Sequence, residues 1–377
     1  MSESAIVAGD SSVYYGSGYW NEIPAVYHEL NRRATGDPDM GWMQHLRQYH
    51  GRPFSRLLSL NCGNGWVERG LLANDVAQRG VGTDYAEDLL VTARAEAAAA
   101  GADLEYVQAD INTFAFDLEG IDLVVNHAAC HHIAEIDRVM RAICRLLPED
   151  GVFVSWDYVG PHRNQYPLAQ WQAVFDANQS LPPALRKDLR YPHLRSMLAG
   201  DPTEAIHSEL ILPVMRRYFD LEHVRYLGGG IAYELFNFNP PFHAVPRPDD
   251  EIARIMALDL AYLGDDPEAN TLFAYVIARP RKAALADTKQ LARWTAEELQ
   301  RESAARAADG RYHPTGLLEH LYDRQYSLET AVATGRPPAI DGQSPSLLRF
   351  WGARWRRRLK SGARRARQAV RARRSPS

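Results

Sequence analysis

Between residues 56 and 156, short apolar runs alternate with helix-like stretches, and no other feature of this 377-residue chain restricts its fold as severely. The runs are Arg56 to Leu60, Gly80 to Thr83, Leu104 to Gln108, Ile121 to Asn126 and Gly151 to Trp156. Between them lie a stretch reaching Gln78, an Ala-rich stretch from Ala86 to Ala100 halted by Gly101, and a third from Ile133 to Leu147. Alanine favours helix, and glycine is a natural stop. Five apolar strands alternating with helices predict a parallel sheet covered on both faces. Two later runs, Leu221 to Leu227 and Leu272 to Ala278, extend it to a seven-stranded Rossmann-like α/β sheet.

The rest of the chain is arranged around that sheet. Residues 1–50 carry Tyr14, Tyr15, Tyr19, Trp20, Trp42 and Tyr49 with helical spacing from Ala25 to Arg33, and read as an N-terminal helical cover. The sheet domain spans 51–280, interrupted at about 158–219 and 228–270 by insertions of the kind that form lids or substrate walls. A helical extension is expected over 281–340, with helix-like Thr288 to Ala308 and Thr315 to Thr334, and a basic tail over 341–377. A hydrophobic content of 46% suffices for one catalytic domain with appendages.

Composition narrows the compartment and the partners. No run nears the roughly 18 apolar residues needed to span a bilayer, and Met1 to Ser4 does not open a secretion signal, so a cytoplasmic protein is expected. Cys62, Cys130 and Cys144 are odd in number and lack paired zinc spacing, which suits small buried side chains in a reducing compartment. Residues Arg349 to Ser377 hold twelve Lys or Arg and no acid, so removing their +12 from the net −4 leaves −16 for the remainder. An acidic body argues against a broad nucleic-acid surface. Leu347, Leu348, Phe350, Trp351, Trp355 and Leu359 interleave with the arginines, so the stretch 347–374 is a candidate contact to an anionic membrane, at its inner face, or to an acidic partner.

The turn Asn61-Cys62-Gly63-Asn64-Gly65 follows a strand and precedes a helix, where small residues let backbone approach a ligand at the sheet's carboxyl edge. Asp84 ends the second strand, where a carboxylate can accept hydrogen bonds from both ribose hydroxyls. A dinucleotide site would want a third small residue, but Gly65 is followed by Trp66, Val67 and the bulky, acidic Glu68, which disfavours pyrophosphate.

With these residues in view, positions 55 to 160 resemble the class I S-adenosylmethionine-dependent methyltransferases. Leu57 to Gly65 is similar to the family's strand and glycine loop, Gly82-Thr83-Asp84-Tyr85 to its ribose motif, and Gln108-Ala109-Asp110-Ile111 to its adenine motif. Ile121 to His127, His131-His132-Ile133 and Leu146 to Gly151 follow in the family's order. The resemblance implies S-adenosylmethionine as cofactor, held by Asn61, Cys62, Gly63, Gly65, Asp84, Tyr85, Asp110, Ile111 and Asn126. Two positions depart from it: Ser59 stands where the family often has an acid, and Asn61 where it often has the first glycine. Asparagine tolerates left-handed backbone better than most residues, so the turn can survive.

Methyl transfer to a hydroxyl needs a proton acceptor. His127 and His131, around the end of strand four, and Asp157, at the end of strand five, are the candidates, with Asp157 alternatively fixing the loop after it. No metal is expected, because the adjacent His131 and His132 should point apart by a quarter turn or more, and His132 reads as a helix-entry residue. Trp20, Tyr158, Arg163, Asn164, Gln165, Tyr166 and Trp171 would suit a sugar or could simply pack together. The segments Asp157 to Arg163 and Asp201 to Ile206 resemble bacterial methyltransferases of surface polysaccharide assembly.

The function expected is therefore O-methylation of a glycan or other small-molecule acceptor. The alternatives are a non-catalytic nucleoside-binding scaffold subunit of a membrane-associated assembly and a nicotinamide-dependent oxidoreductase. Replacing the ribose acceptor, Asp84→Ala, is expected to weaken donor binding in calorimetry, and unchanged affinity would contradict the site.

Overall fold

The computed structural model describes residues 17–192, 201 and 203–286; most of the helical extension and all of the basic tail lie outside the described residues. In chain order its longer elements are α1 (Pro24–Thr35), α2 (Trp42–His50), β1 (Leu57–Leu60), α3 (Trp66–Ala73), β2 (Gly80–Asp84), α4 (Glu87–Ala100), β3 (Leu104–Gln108) and β4 (Leu123–His127). There follow α5 (Ile136–Leu146), β5 (Val152–Tyr158), α6 (Leu168–Gln179), α7 (Ile211–Tyr218), β6 (Phe219–Gly228), α8 (Asp249–Leu263) and β7 (Phe273–Pro280).

All seven expected strands pair into one sheet of order β3-β2-β1-β4-β5-β7-β6. β1 to β5 run parallel, and β1 and β4 are buried along almost their whole length, because helices cover both faces. β7 lies antiparallel between β5 and β6, a reversal that the apolar runs alone do not encode. Helix formation follows local chemistry. α4 is built on alanines and ends at Gly101 in the left-handed conformation, while α5 buries Ile136, Val139, Met140, Ile143 and Cys144 along one face. α5 begins later than Ile133 because Cys130–His132 forms a separate 3-10 turn.

Chain order reverses between β1 and β4, which are neighbours although β2 and β3 lie on the far side of β1. At such a switch the connections after the two strands leave in opposite directions and open a crevice at their carboxyl ends. Asn61, Asp84, His127 and Tyr158 sit at or just past the ends of β1, β2, β4 and β5, so the candidate residues reach one edge of the sheet.

The N-terminal helices are tied to the later insertion by a buried ion pair. Arg33 on α1 donates to Asp259 on α8 at 2.7 Å and to the Leu227 carbonyl at 2.8 Å. Asp259 also accepts the backbone N–H groups of Gly229, Ile231 and Ala232 at 2.9 to 3.0 Å, fixing the glycine turn after β6. Trp20 N–H donates to Asn237 Oδ1 at 2.7 Å, which fastens the chain ahead of α1 to the same insertion. Among the described residues no helix is long and apolar enough to cross a membrane. Because Asp259→Ala leaves three buried amides without an acceptor and takes from Arg33 one of its two carboxylate partners, the other being Glu29, it is expected to lower unfolding stability in urea by about 3–5 kcal/mol.

Candidate active site

The turn after β1 has the backbone that its sequence requires. Asn61, Gly63 and Gly65 have φ of 44°, 56° and 74°, so asparagine does take the left-handed place open to glycine. A Cβ at Gly65 would lie 2.8 and 2.9 Å from Cζ and Cε1 of Tyr106, so only glycine lets α3 start there. The Cys62 side chain points into the core against Tyr106, and its amide donates to the Thr83 carbonyl at 2.8 Å. Cys62 thus contributes backbone, not thiol, to the edge; burial pushes the thiol up.

Asp84 meets this turn directly. One carboxylate oxygen accepts the Gly63 N–H at 2.8 Å and the other the Ala86 N–H at 2.8 Å. Burial raises its pKa while the amides of Ala86, Gly63 and Tyr85 oppose the rise. Gly63 and Asp84, twenty-one positions apart, therefore form one contact. A turn with left-handed positions at 61, 63 and 65 beside a carboxylate fits the ribose and amino-acid ends of a nucleoside-type donor. Tyr85 is half exposed beside Asp84, and Ile111 is buried. Asp110 accepts from Asn112 at 2.9 Å through the backbone and 3.0 Å through the side chain, which shapes the loop after β3.

On the other side of the crevice, Asp157 is fully buried. Its Oδ2 accepts from Asn126 Nδ2 and from Cys130 N–H, each at 2.8 Å; its Oδ1 accepts the Tyr158 N–H at 2.7 Å and lies 2.6 Å from His131 Nδ1. Burial disfavours the His131 imidazolium, but the charge and hydrogen bond of Asp157, followed by the charges of Glu204 and Asp201, outweigh it and lift His131 to about 9. Burial likewise works against the Asp157 carboxylate, and His131 with Asn126 hold it below its ordinary value. The reading of Asp157 as a loop-fixing group and its reading as a partner of His131 thus describe the same carboxylate.

Asn126 is used up within this network. Its amide donates to Ser155 Oγ at 2.7 Å as well as to Asp157, and its oxygen accepts from the amides of Ala129 at 3.2 Å and Cys130 at 2.8 Å. Both donors and both acceptor positions of its side chain are thus engaged within the protein. His127 lies apart from the pair, stacked on Trp42 at 5.7 Å and edge-on to Trp66 at 5.0 Å, and burial lowers it to about 4.

Two further expectations change. The rings of His131 and His132 do not diverge: in the Cys130–His132 turn their centroids are 4.1 Å apart. Both Nε2 atoms face Glu204 Oε2, at 3.8 and 3.9 Å, so two imidazoles and a carboxylate, groups of metal-ligand type, converge. The geometric ground for expecting no metal is therefore removed. Trp20, Tyr158, Arg163, Gln165 and Tyr166 are buried, and Trp171 stacks on Tyr166 with ring planes 9° apart. Trp20 packs against Tyr233 and Phe273, and Tyr158 meets Phe273 edge-on, so these rings belong to packed clusters.

Sequence reasoning missed Glu204 as a site residue. The segment that holds it returns from the first insertion through Ile206 N–H to the His131 carbonyl at 2.9 Å and through Thr203 Oγ1, 3.1 Å from His132 Nδ1. Nothing in local spacing links positions seventy residues apart, although the acidic Asp201–Glu204 cluster beside histidines was visible as composition.

Residues 58–155 match the family model described as a methyltransferase domain. Over 184 residues the chain is 24% identical to the uncharacterized methyltransferase YcgJ of Bacillus subtilis, covering 42% of this chain and 71% of that protein. Over 106 residues it is 30% identical to a ubiquinone biosynthesis O-methyltransferase of Brucella anthropi, covering 27% of this chain and 41% of the relative. A solved S-adenosylmethionine-dependent methyltransferase from Mesorhizobium loti aligns over 60% of this chain and 91% of its own, at 19% identity and a TM-score of 0.37. If Asp157 is what charges His131, Asp157→Asn leaves burial as the dominant influence, and the His131 ring should then titrate below the ordinary imidazole value of about 6.5 in NMR.

Proposed function

Since residues 58–155 make this chain a class I S-adenosylmethionine-dependent methyltransferase, we propose that it methylates a hydroxyl oxygen of a glycan or other small molecule, with His131 as proton acceptor and Asp157 as its positioning partner. S-adenosylmethionine supplies a methyl group on a sulfonium, which a hydroxyl attacks in line as its proton leaves. Asn61, Gly63 and Gly65 would hold it through backbone and Asp84 through its carboxylate, with Tyr85, Asp110 and Ile111 toward the base.

The observation that carries the choice of an oxygen acceptor is the buried His131–Asp157 pair. A hydroxyl is a weak nucleophile, and a fixed imidazole backed by a carboxylate is a device for removing its proton. Asp157 occupies Nδ1, which leaves Nε2 on the side of Glu204 to receive the acceptor's proton. Glu204 lies on that side, and Asp201 and Thr203 lie beside the neighbouring His132; these are groups that bond hydroxyls, as a sugar acceptor would need. His127, neutral near pH 7 and close to the same strand end, is the secondary candidate. The Brucella relative, an O-methyltransferase by name, points to the same atom. A basic stretch at 347–374 suits recruitment to an anionic membrane surface, where membrane-linked surface polysaccharide intermediates would be met.

Three outcomes test this reading. The purified enzyme with labelled donor, incubated with a glycan and metabolite extract, should place label on a hydroxyl oxygen; label on nitrogen or carbon alone would contradict it. His131→Gln should lower kcat by about 10²–10⁴ while donor affinity is kept. Because the imidazole must be neutral to accept a proton and His131 is lifted to about 9, kcat/KM should climb as pH rises toward that value and level off above it.

A further inference from the structure

Glu68, in the first turn of α3, is fully buried, and neither of its carboxylate oxygens has a hydrogen-bonding partner among the described residues. Buried polar groups are otherwise paired, and such an orphan calls for an unseen partner. The groups around it come from every neighbouring element: Ser59 on β1, Cys62 in the glycine turn, Asp84 at the end of β2, Tyr106 on β3 and Arg69 on its own helix.

None of these neutralises it. Arg69 donates to the Asn64 carbonyl at 2.7 Å and pairs with Glu96, and its charge favours the Glu68 carboxylate without outweighing burial. Asp84 is a second anion. Burial is the largest influence on Glu68 and raises it to about 7, while Ser59 and the Glu68 amide favour the carboxylate from outside hydrogen-bonding geometry. Ser59 is also the position at which the sequence departs from an acid. A carboxylate absent from β1 thus returns to the same neighbourhood from α3.

A cation would answer a buried, unpartnered carboxylate, and the methyl donor bears a sulfonium and an ammonium against a single carboxylate. We infer that Glu68 is the counter-charge of the bound donor, and that donor binding at the 61–65 turn converts the Glu68 carboxylic acid to its carboxylate with release of one proton to solvent. The O–H bond of the acid breaks, its electron pair stays on oxygen, and buffer takes the proton. The inference rests on the donor reading of this turn and adds to it a titrating group that no ribose or adenine motif contains.

Calorimetry in buffers of different protonation enthalpy tests it without any turnover. At pH 6, S-adenosylmethionine should release close to one proton per molecule bound, S-adenosylhomocysteine, which lacks the sulfonium charge, distinctly less, and donor affinity should fall about tenfold per pH unit below 7. Glu68→Gln should abolish both the release and the slope, whereas His131→Gln should keep them. Binding without proton release, or release that survives in Glu68→Gln, overturns the inference and leaves the donor site standing. Absence of donor binding by the unaltered protein overturns the donor site itself. If Glu68→Gln fails to fold in a thermal melt, the wild-type and His131→Gln releases still decide, since loss of release in the latter would move the proton to His131.

Discussion

A single buried carboxylate, Asp157, holds the ends of β4 and β5 together. It receives hydrogen bonds from Asn126 on β4, from the Cys130 amide in the following turn and from the Tyr158 amide on its own strand, and it contacts His131. Burying a charge is costly unless its oxygens are fully engaged. Here the engagement comes from three places along the chain, so the ends of β4 and β5 and the intervening turn cannot shift independently. The same carboxylate governs what His131 can do, because removing a charge at 2.6 Å leaves burial, which works in the opposite direction, against only the weaker charges of Glu204 and Asp201.

The sheet delivers the two halves of the chemistry to one edge. Asp84 and Gly63 grip each other at the ends of β2 and β1, while His131 and Asp157 do so beyond β4 and on β5. Reversal of strand order between β1 and β4 opens the crevice between these halves. The acceptor side is then closed by segments remote in sequence: Thr203 to Ile206 against the two histidines, and the chain ahead of α1 against the second insertion. Glu68 belongs to the donor half, with its charge set against the cation that this half is built to receive.

What was legible in the sequence followed from local chemistry. Strands buried along most of their length, such as β1, β4, β5 and β7, are near-continuous apolar runs, while β3 and β6 are largely exposed and were marked by their Leu, Val and Tyr residues; a glycine turn with a carboxylate one strand later has few other uses. The antiparallel β7 was not legible, since an apolar run carries no direction. Nor were the Arg33–Asp259 pair or the convergence of Glu204 with His131 and His132, which join segments 226 and about 70 residues apart through tertiary packing. The buried network of Asn126 was not legible for a related reason: a polar residue at a strand end can face a ligand or bond Ser155 and Asp157, and the sequence shows neither partner. The aromatic wall shows the same ambiguity, because rings suited to stacking on a sugar are equally suited to stacking on one another.

The central claim is that one crevice joins the Gly63–Asp84 grip to the His131–Asp157 pair. A crystal structure with S-adenosylhomocysteine bound is the most direct measurement. The account predicts the ribose on the Asp84 carboxylate and the sulfur directed toward the side of the crevice where His131 Nε2 lies. A nucleoside seated away from the 61–65 turn, or a sulfur turned from His131 with protein between them, would contradict it.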